Sequence, residues 1–219
     1  MRFRAIIFDM DGVLVDSQPL HFAAEKKAIA HFGSAITNKE LKKYLGWTED
    51  AFWEEIIKKH RLRANVGEIK KFERPLYEAL LKKRLMASNN LQRFLNKLRK
   101  KRFKLAVASS SPIRWIDMVL AGLKIKNYFD VTVSGEEVRK SKPFPDIFIE
   151  TAKRLGIRPK LCMVVEDAPA GIKAANAANM FSIALKTRIN RRMGFSDARA
   201  IIKNLAGLYK IIDRIERIS

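Results

Sequence analysis

Short apolar segments recur along the chain, and a polar residue follows each of them. These segments are residues 4–8, 103–108, 130–133, 161–165 and 181–185. Apolar runs of this length are typical of parallel strands that are buried on both faces of a sheet. Helical periodicity appears between them over residues 112–122, 144–155 and 169–178. The alternation predicts an α/β fold built on a parallel sheet.

The first two predicted strands are far apart in sequence. Residues 9–102 separate them, whereas a parallel crossover needs only about a dozen residues. Four helical patterns fill this interval, over residues 17–33, 37–45, 48–60 and 65–86. The sequence therefore predicts a helical insert, residues 16–85, in a core formed by residues 1–15 and 86–219.

The composition indicates a folded protein with a large excess of positive charge. Hydrophobic residues make up 47% of the 219, charged residues 31%, and the formal net charge is +21. Almost half of the excess lies in residues 81–104, which contain ten basic residues and no acidic one. We predict a solvated helix face there, because no aromatic residues alternate with the basic ones as nucleic-acid stacking requires. A nucleic-acid partner is not expected, and nucleic-acid binding is the non-enzymatic alternative.

The expected compartment is the cytoplasm. No apolar run approaches the roughly 20 residues of a membrane span, so no membrane partner is expected. A single cysteine, Cys162, cannot form an internal disulfide, which suits a reducing compartment.

Two acidic pairs follow predicted strands. Asp9 and Asp11 come after the first strand, and Glu166 and Asp167 come at the end of the fourth. Residues two apart in an extended segment face the same side, so the first pair shares one site. Clustered carboxylates raise each other's proton affinity unless a divalent cation takes up the charge. The two pairs therefore predict an oxygen-rich Mg²⁺ site.

Two further polar residues lie at the same predicted edge of the sheet. Ser109 follows the second strand, and Lys142 lies in a loop before a helix. A lysine ammonium in such a loop can hold a phosphoryl oxygen as a point charge. Ligands of parallel sheets bind beyond the carboxyl ends of the strands, so these residues predict a phosphate site.

The four motifs together resemble those of the haloacid dehalogenase-like phosphohydrolase superfamily. They are residues 8–13 (FDMDGV), 107–111 (VASSS), 142–146 (KPFPD) and 165–168 (VEDA). The resemblance covers almost the whole chain and implies a Rossmann-like, three-layer α/β/α core. It also implies that the helical insert is a cap domain.

The resemblance assigns roles to five residues. Asp9 would be the nucleophile that forms an aspartyl-phosphate. Asp11 would protonate the leaving oxygen and later activate the attacking water. Ser109, Ser110 and Lys142 would hold the transferring phosphoryl group.

The resemblance also implies the metal and the type of reaction. Mg²⁺ would be held by Asp9, Glu166, Asp167 and the backbone carbonyl of Asp11. Dehalogenating relatives lack an acid at the position of Asp11, because a halide leaves without a proton. The presence of Asp11 therefore favours phosphate esters as substrates.

Within the superfamily the chain is most similar to the branch of beta-phosphoglucomutase and sugar-phosphate phosphatases. The matching residues are 16–21, which contain His21, and 166–172. In relatives a cap loop corresponding to Gly46, Trp47 and Thr48 faces the active site. The resemblance makes His21, Trp47 and Thr48 candidate substrate-binding residues.

Two departures disfavour the mutase itself. Glu73 stands four residues before Tyr77, where the mutase pattern has lysine, and Pro112 replaces a lysine for the second phosphate. Without these cations a bisphosphate intermediate would be held poorly. The predicted function is therefore a Mg²⁺-dependent phosphatase acting on a small phosphorylated metabolite, a sugar phosphate or similar monoester. A sugar-phosphate mutase is the alternative.

Overall fold

The computed structural model describes residues 3–45, 47–85, 89–187 and 189–218. It divides the chain into two compact units. The first comprises Met1–Asp16 and Met86–Ser219, and the second comprises Ser17–Leu85.

The first unit is built on a parallel sheet. Its strands are β1 (Ala5–Phe8), β2 (Lys104–Ser109), β3 (Val131–Ser134), β4 (Cys162–Glu166), β5 (Phe181–Leu185) and β6 (Ala200–Ile202). Their order is β3-β2-β1-β4-β5-β6, and every neighbouring pair is parallel. The predicted parallel α/β sheet is confirmed. The sixth strand was not predicted, because its three residues are too few to form a recognisable apolar run.

Helices account for most of the remaining chain. They are α1 (Gln18–His31), α2 (Asn38–Leu41), α3 (Glu49–His60), α4 (Val66–Arg84), α5 (Asn89–Lys100), α6 (Ile113–Gly122), α7 (Asp146–Leu155), α8 (Pro169–Ala177) and α9 (Gly207–Ile218). Among the described residues, no helix is both long and apolar enough to cross a membrane.

Alternate residues of β1 face opposite layers of helices. Ile7 packs in a buried cluster with Phe148 of α7 and Ala174 of α8. Phe8 instead contacts Phe94 of α5, with ring centroids 6.1 Å apart. Because side chains of a strand alternate between its faces, these contacts place helices on both sides of the sheet. This is the predicted three-layer α/β/α arrangement.

The strand register brings several chain segments to one edge of the sheet. Phe8 at the end of β1 is paired with Val107 of β2 and with Val165 of β4. The residues that follow these positions therefore emerge side by side at the carboxyl edge. This edge carries the candidate site.

The second unit is a helical domain with its own core. Buried apolar residues on α1, α3 and α4 pack together, among them Ile29, Trp53 and Ile69. Asn65 begins α4 with a capping box, in which it accepts from the backbone N–H of Glu68 at 3.0 Å. The predicted helices of the insert correspond to α1, α3 and α4, together with α2 and the short 3₁₀ turn that follows it.

Candidate active site

Asp9 follows β1 directly and is almost completely buried. Its backbone N–H donates to the carbonyl of Val165 at 2.9 Å, which extends the sheet register by one residue. The chain then turns sharply, and Gly12 has a φ of +77°. A Cβ at residue 12 would lie only 2.1 Å from Oδ2 of Asp167, so glycine allows the turn to approach that carboxylate. The turn brings Asp9 and Asp167 to the same site.

The ammonium of Lys142 lies at the centre of the site. Its Nζ donates to Oδ1 of Asp9 at 2.6 Å, to Oε1 of Glu166 at 2.7 Å and to the carbonyl of Ala108 at 3.1 Å. The Lys142 side chain is only 7% exposed, so all three of its N–H groups are satisfied within the protein. A lysine held in this way is a fixed positive charge that can face a phosphoryl group.

Burial and mutual repulsion raise the proton affinity of the acids in this site. Burial raises the pKa of Asp9 to about 8, opposed by Lys142 and reinforced by the nearby carboxylates of Glu166 and Asp11. Burial, again reinforced by neighbouring carboxylates, raises the pKa of Asp167 well above its ordinary value. For Lys142, the attraction of Asp9 and Glu166 exceeds the effect of burial and raises its pKa. When ionised, the carboxylates of Asp9, Glu166 and Asp167 carry more negative charge than the one ammonium of Lys142 can balance.

Three carboxylates could hold a divalent cation. Asp9, Glu166 and Asp167 each offer an oxygen, and these oxygens all lie within 4.8 Å of one another. A hard cation such as Mg²⁺ prefers oxygen ligands of this kind, and its charge would offset the raised pKa values. The donor set therefore fits the predicted metal. The carboxylate of Asp11 is not part of this set among the described residues, and the predicted contribution of its backbone carbonyl stays a prediction.

The serine-rich loop after β2 holds the second aspartate. The backbone N–H of Ser111 donates to Oγ of Ser109 at 3.1 Å, and the Ser111 hydroxyl donates to Oδ2 of Asp11 at 2.8 Å. Ser110 is exposed, with its hydroxyl 3.3 Å from that of Ser141. The sequence interpretation assigned no role to Ser111, although it lies in the serine triplet.

Hydrogen bonds from Ala168 and from the distant Asn190 support the acidic pair at the end of β4. Oε2 of Glu166 accepts from the backbone N–H of Ala168 at 2.9 Å. The buried amide of Asn190 donates to the backbone carbonyl of Asp167 at 2.8 Å and to that of Leu185 at 2.9 Å. Asn190 was not predicted, because nothing in its local sequence distinguishes it from an ordinary loop asparagine.

The three candidate residues of the insert belong to the second unit. His21 stacks on Tyr77, with ring centroids 4.0 Å apart. Thr48 caps α3 by accepting from the backbone N–H of Ala51, and Trp47 is 51% exposed beside Tyr44. Gly46 lies outside the described residues. The role of His21, Trp47 and Thr48 in substrate binding stays a prediction.

Comparisons with known proteins give matches over most of the chain. The family model described as haloacid dehalogenase-like hydrolase matches residues 6–185. A phosphorylated carbohydrates phosphatase of Thermotoga maritima is 31% identical over 80% of this chain and 82% of its own length. A fructose-1-phosphate phosphatase of Escherichia coli is 30% identical over 83% of this chain and 96% of its own.

A solved structure has the same fold over nearly the whole chain. The beta-phosphoglucomutase of Clostridium difficile superposes with a TM-score of 0.80 at 26% identity. The match covers 97% of this chain and 96% of that one.

Proposed function

Because the chain belongs to the haloacid dehalogenase-like hydrolases and is a phosphatase of that family, we propose that it hydrolyses small phosphorylated carbohydrates through an aspartyl-phosphate. The observation that carries the proposal is the position of Lys142 between Asp9 and Glu166, beside Asp167. This arrangement presents a carboxylate nucleophile and a fixed cation at one point. Phosphoryl transfer depends mainly on such positioning and charge balance.

In the first step, an Oδ of Asp9 attacks phosphorus, and the bond from phosphorus to the ester oxygen breaks. Asp11 gives its proton to the departing oxygen, so that the alcohol leaves uncharged. Asp11 then takes a proton from water, whose oxygen attacks the phosphorus of the aspartyl-phosphate. The acyl phosphate bond breaks, inorganic phosphate leaves and Asp9 is restored. The hydrogen bond from Ser111 holds Asp11 in place for both proton transfers.

Charge balance is the second requirement. Lys142 would attract an oxygen of the transferring group as a point charge, and the hydroxyls of Ser109 and Ser110 would be the hydrogen-bond donors to that group. A Mg²⁺ held by Asp9, Glu166 and Asp167 would neutralise phosphate charge that otherwise repels the nucleophile.

Similarity to named phosphatases supports a carbohydrate phosphate as substrate. The two relatives described above are named for phosphorylated carbohydrates and for fructose 1-phosphate. The mutase alternative is less favoured, although a mutase has the same fold. Glu73 is buried and acidic where the mutase has a lysine, and Pro112 gives no cation before α6.

The second unit completes the proposal as a cap. We assign substrate selection to it, with His21, Trp47 and Thr48 as the residues to test. The cytoplasm is the proposed compartment, supported by Cys162, which is a buried free thiol in β4.

The test measures phosphate release with Mg²⁺ from hexose 1- and 6-phosphates, hexitol phosphates and phosphoserine. Asp9→Asn should abolish release, whereas Asp213→Asn, an exposed acid on α9, should not change it. Isomerisation of hexose 1-phosphate that exceeds phosphate release would favour the mutase. Release by Asp9→Asn at the wild-type rate would contradict the proposal.

A further inference from the structure

The parallel sheet has a second edge, where the strands begin, and basic residues are concentrated there. Exposed Lys or Arg residues lie just before four of the strands: Arg4 before β1, Lys100 and Arg102 before β2, Arg158 and Lys160 before β4, and Arg199 before β6. We call these six residues the entry edge. The acidic residues in the corresponding positions are Asp130 and Asp197. The entry edge is therefore strongly positive.

The charges of the entry edge are not balanced within the protein. Asp130 pairs with Arg99 and Lys104, and Asp213 and Glu216 pair with Lys101. Among the described residues, none of the six entry-edge side chains has an acidic group within 4 Å, so their charge is available to a partner.

Helix stability does not explain the entry edge. Basic residues in the last turn of a helix interact favourably with its dipole, which accounts for Lys100 at the end of α5. Arg4, Arg158 and Arg199 are in no α-helix, and Lys160 lies in a single 3₁₀ turn. These four side chains are exposed and form no ion pair with a described residue, so they add little to the stability of the fold.

The strand order arranges the entry edge as a row. Its residues precede β2, β1, β4 and β6, which follow one another in the sheet with only β5 between the last two. Strands about 4.8 Å apart make this row about 19 Å long. Phosphates of one strand of a duplex repeat about every 3.4 Å along the axis, so the row matches the backbone of five or six base pairs.

We propose that the entry edge binds the phosphate backbone of a nucleic-acid duplex. This inference departs from the expectation based on residues 81–104 alone, because it rests on segments that meet only in the folded sheet. It is independent of the proposed phosphatase activity, since the carboxyl edge lies at the opposite end of every strand.

The chemistry of the entry edge favours a duplex over other polyanions. Four of its six residues are arginines. A guanidinium group can donate two parallel hydrogen bonds to the oxygens of one phosphate. A single strand requires aromatic stacking, yet the large exposed aromatic residues of the described chain, Trp47 and Phe144, lie elsewhere. Among the described residues, Ile201 of β6 is the large exposed apolar residue nearest in sequence to this row, and one isoleucine does not supply the apolar face of a membrane-surface site.

The test measures binding of a fluorescent 20-base-pair duplex, as DNA and as RNA, by anisotropy over a range of salt concentrations. The edge variant combines Lys100→Gln, Arg158→Gln, Lys160→Gln and Arg199→Gln. We expect micromolar binding by the wild type at about 50 mM salt and a loss of at least tenfold in the variant. The plot of log affinity against log salt should become less steep in the variant. Its slope should fall in magnitude by roughly 3 to 4, because each lost phosphate contact contributes about 0.9.

A matched control removes the same charge from the second unit. It combines Lys26→Gln, Lys39→Gln, Lys42→Gln and Lys58→Gln, all exposed positions. This variant should lose less than threefold in affinity, and Asp9→Asn should bind as the wild type does. Equal losses in both charge variants, no duplex binding by the wild type, or tighter binding to phosphatidylserine vesicles or single strands would overturn the proposal.

Phosphate release serves as the folding control for the edge variant, which should keep wild-type activity. If the variant with four substitutions is inactive, the double variant Arg158→Gln, Lys160→Gln replaces it. The slope of log affinity against log salt should then fall in magnitude by about 2. An unchanged slope in an active variant would also overturn the proposal.

Discussion

Ser111 donates a hydrogen bond of 2.8 Å from its hydroxyl to Oδ2 of Asp11. The two residues lie on different loops, one after β2 and one after β1, and the bond fixes the carboxylate relative to the serine-rich loop. Because the proposed mechanism requires Asp11 to face the leaving oxygen, we expect Ser111 to be a positioning residue for proton transfer.

Ser111→Ala should therefore lower kcat for an alkyl phosphate by about tenfold and leave KM almost unchanged. The effect should be smaller with p-nitrophenyl phosphate, because that leaving group departs without a proton. Steady-state kinetics with both substrates measure the difference. Ser196→Ala, at an exposed loop position, is the control, and an equal loss of kcat with both substrates would contradict the positioning role.

Gly171 leaves room for the side chain of Glu166. A Cβ at residue 171 would lie 1.9 Å from Oε1 of Glu166, whereas one at Gly194 would meet no heavy atom within 4 Å. Gly171→Ala should displace the Glu166 carboxylate, weaken Mg²⁺ binding at least tenfold and abolish most activity. Gly194→Ala should retain the Mg²⁺ affinity and the activity of the wild type. Titration calorimetry with Mg²⁺ alone tests this directly, and unaltered affinity in Gly171→Ala would show that Glu166 is not a ligand.

Two acids of the second unit, Glu25 and Glu73, should make its stability depend on pH. Burial raises the pKa of Glu25 to about 8, and the carboxylates of Glu73 and Glu49 add to the effect. Burial also raises the pKa of Glu73 to about 7, with Glu49 adding to it and Arg74 and Lys70 opposing it. Oε2 of Glu25 has no hydrogen-bond partner among the described residues.

Proton binding sets the direction in which the free energy of unfolding changes with pH. These groups hold protons in the folded state that they release on unfolding, so the free energy of unfolding should fall as pH rises from about 4.5 to 8. Glu25→Gln should raise Tm by about 5 °C at pH 8 and change it little at pH 4.5. The exposed substitution Glu54→Gln should have no effect at either pH. A gain in Tm that is independent of pH would exclude titration as its cause.

Asn190 connects the loop after β5 to the acidic pair. Its side chain donates to the carbonyls of Asp167 and Leu185, and it accepts from the backbone N–H of Thr187 at 2.7 Å. Asn190→Ala should leave these buried groups unpaired and lower the free energy of unfolding by about 3 kcal/mol. Urea denaturation measures the change, with the exposed Asn96→Ala as control. A loss below about 0.5 kcal/mol would show that water replaces the amide.

Much of the fold could be predicted because buried parallel strands leave a strong pattern in the sequence. Continuous apolar runs marked β1 to β5. The short strand β6 gave no such signal, since its three residues are too few to form a recognisable apolar run. The helix α9 was also missed, although Leu208 and Ile212 are buried at helical spacing.

The proximity of the acidic residues and Lys142 in the candidate site was predictable for a different reason. Asp9, Lys142 and Asp167 all follow elements whose ends a parallel sheet must bring to one edge. The contacts of Ser111 and Asn190 depend on side-chain geometry between distant segments, which no local pattern encodes. The entry edge is similar, because its row of charges exists only once the strand order is known.

The position of β1 between β2 and β4 constrains how the protein can fold during its synthesis. Its partners β2 and β4 begin at Lys104 and Cys162, so β1 is synthesised before either partner and must wait for both. At translation rates of about 5–20 residues per second, β1 remains without its second neighbour for roughly 8 to 30 s. During that time the apolar segment Ala5–Phe8 is available to chaperones and to other nascent chains. This segment has four residues, which is shorter than a typical aggregation-prone segment. Asp9 and Asp11 follow it directly, and charged residues in such flanking positions oppose aggregation.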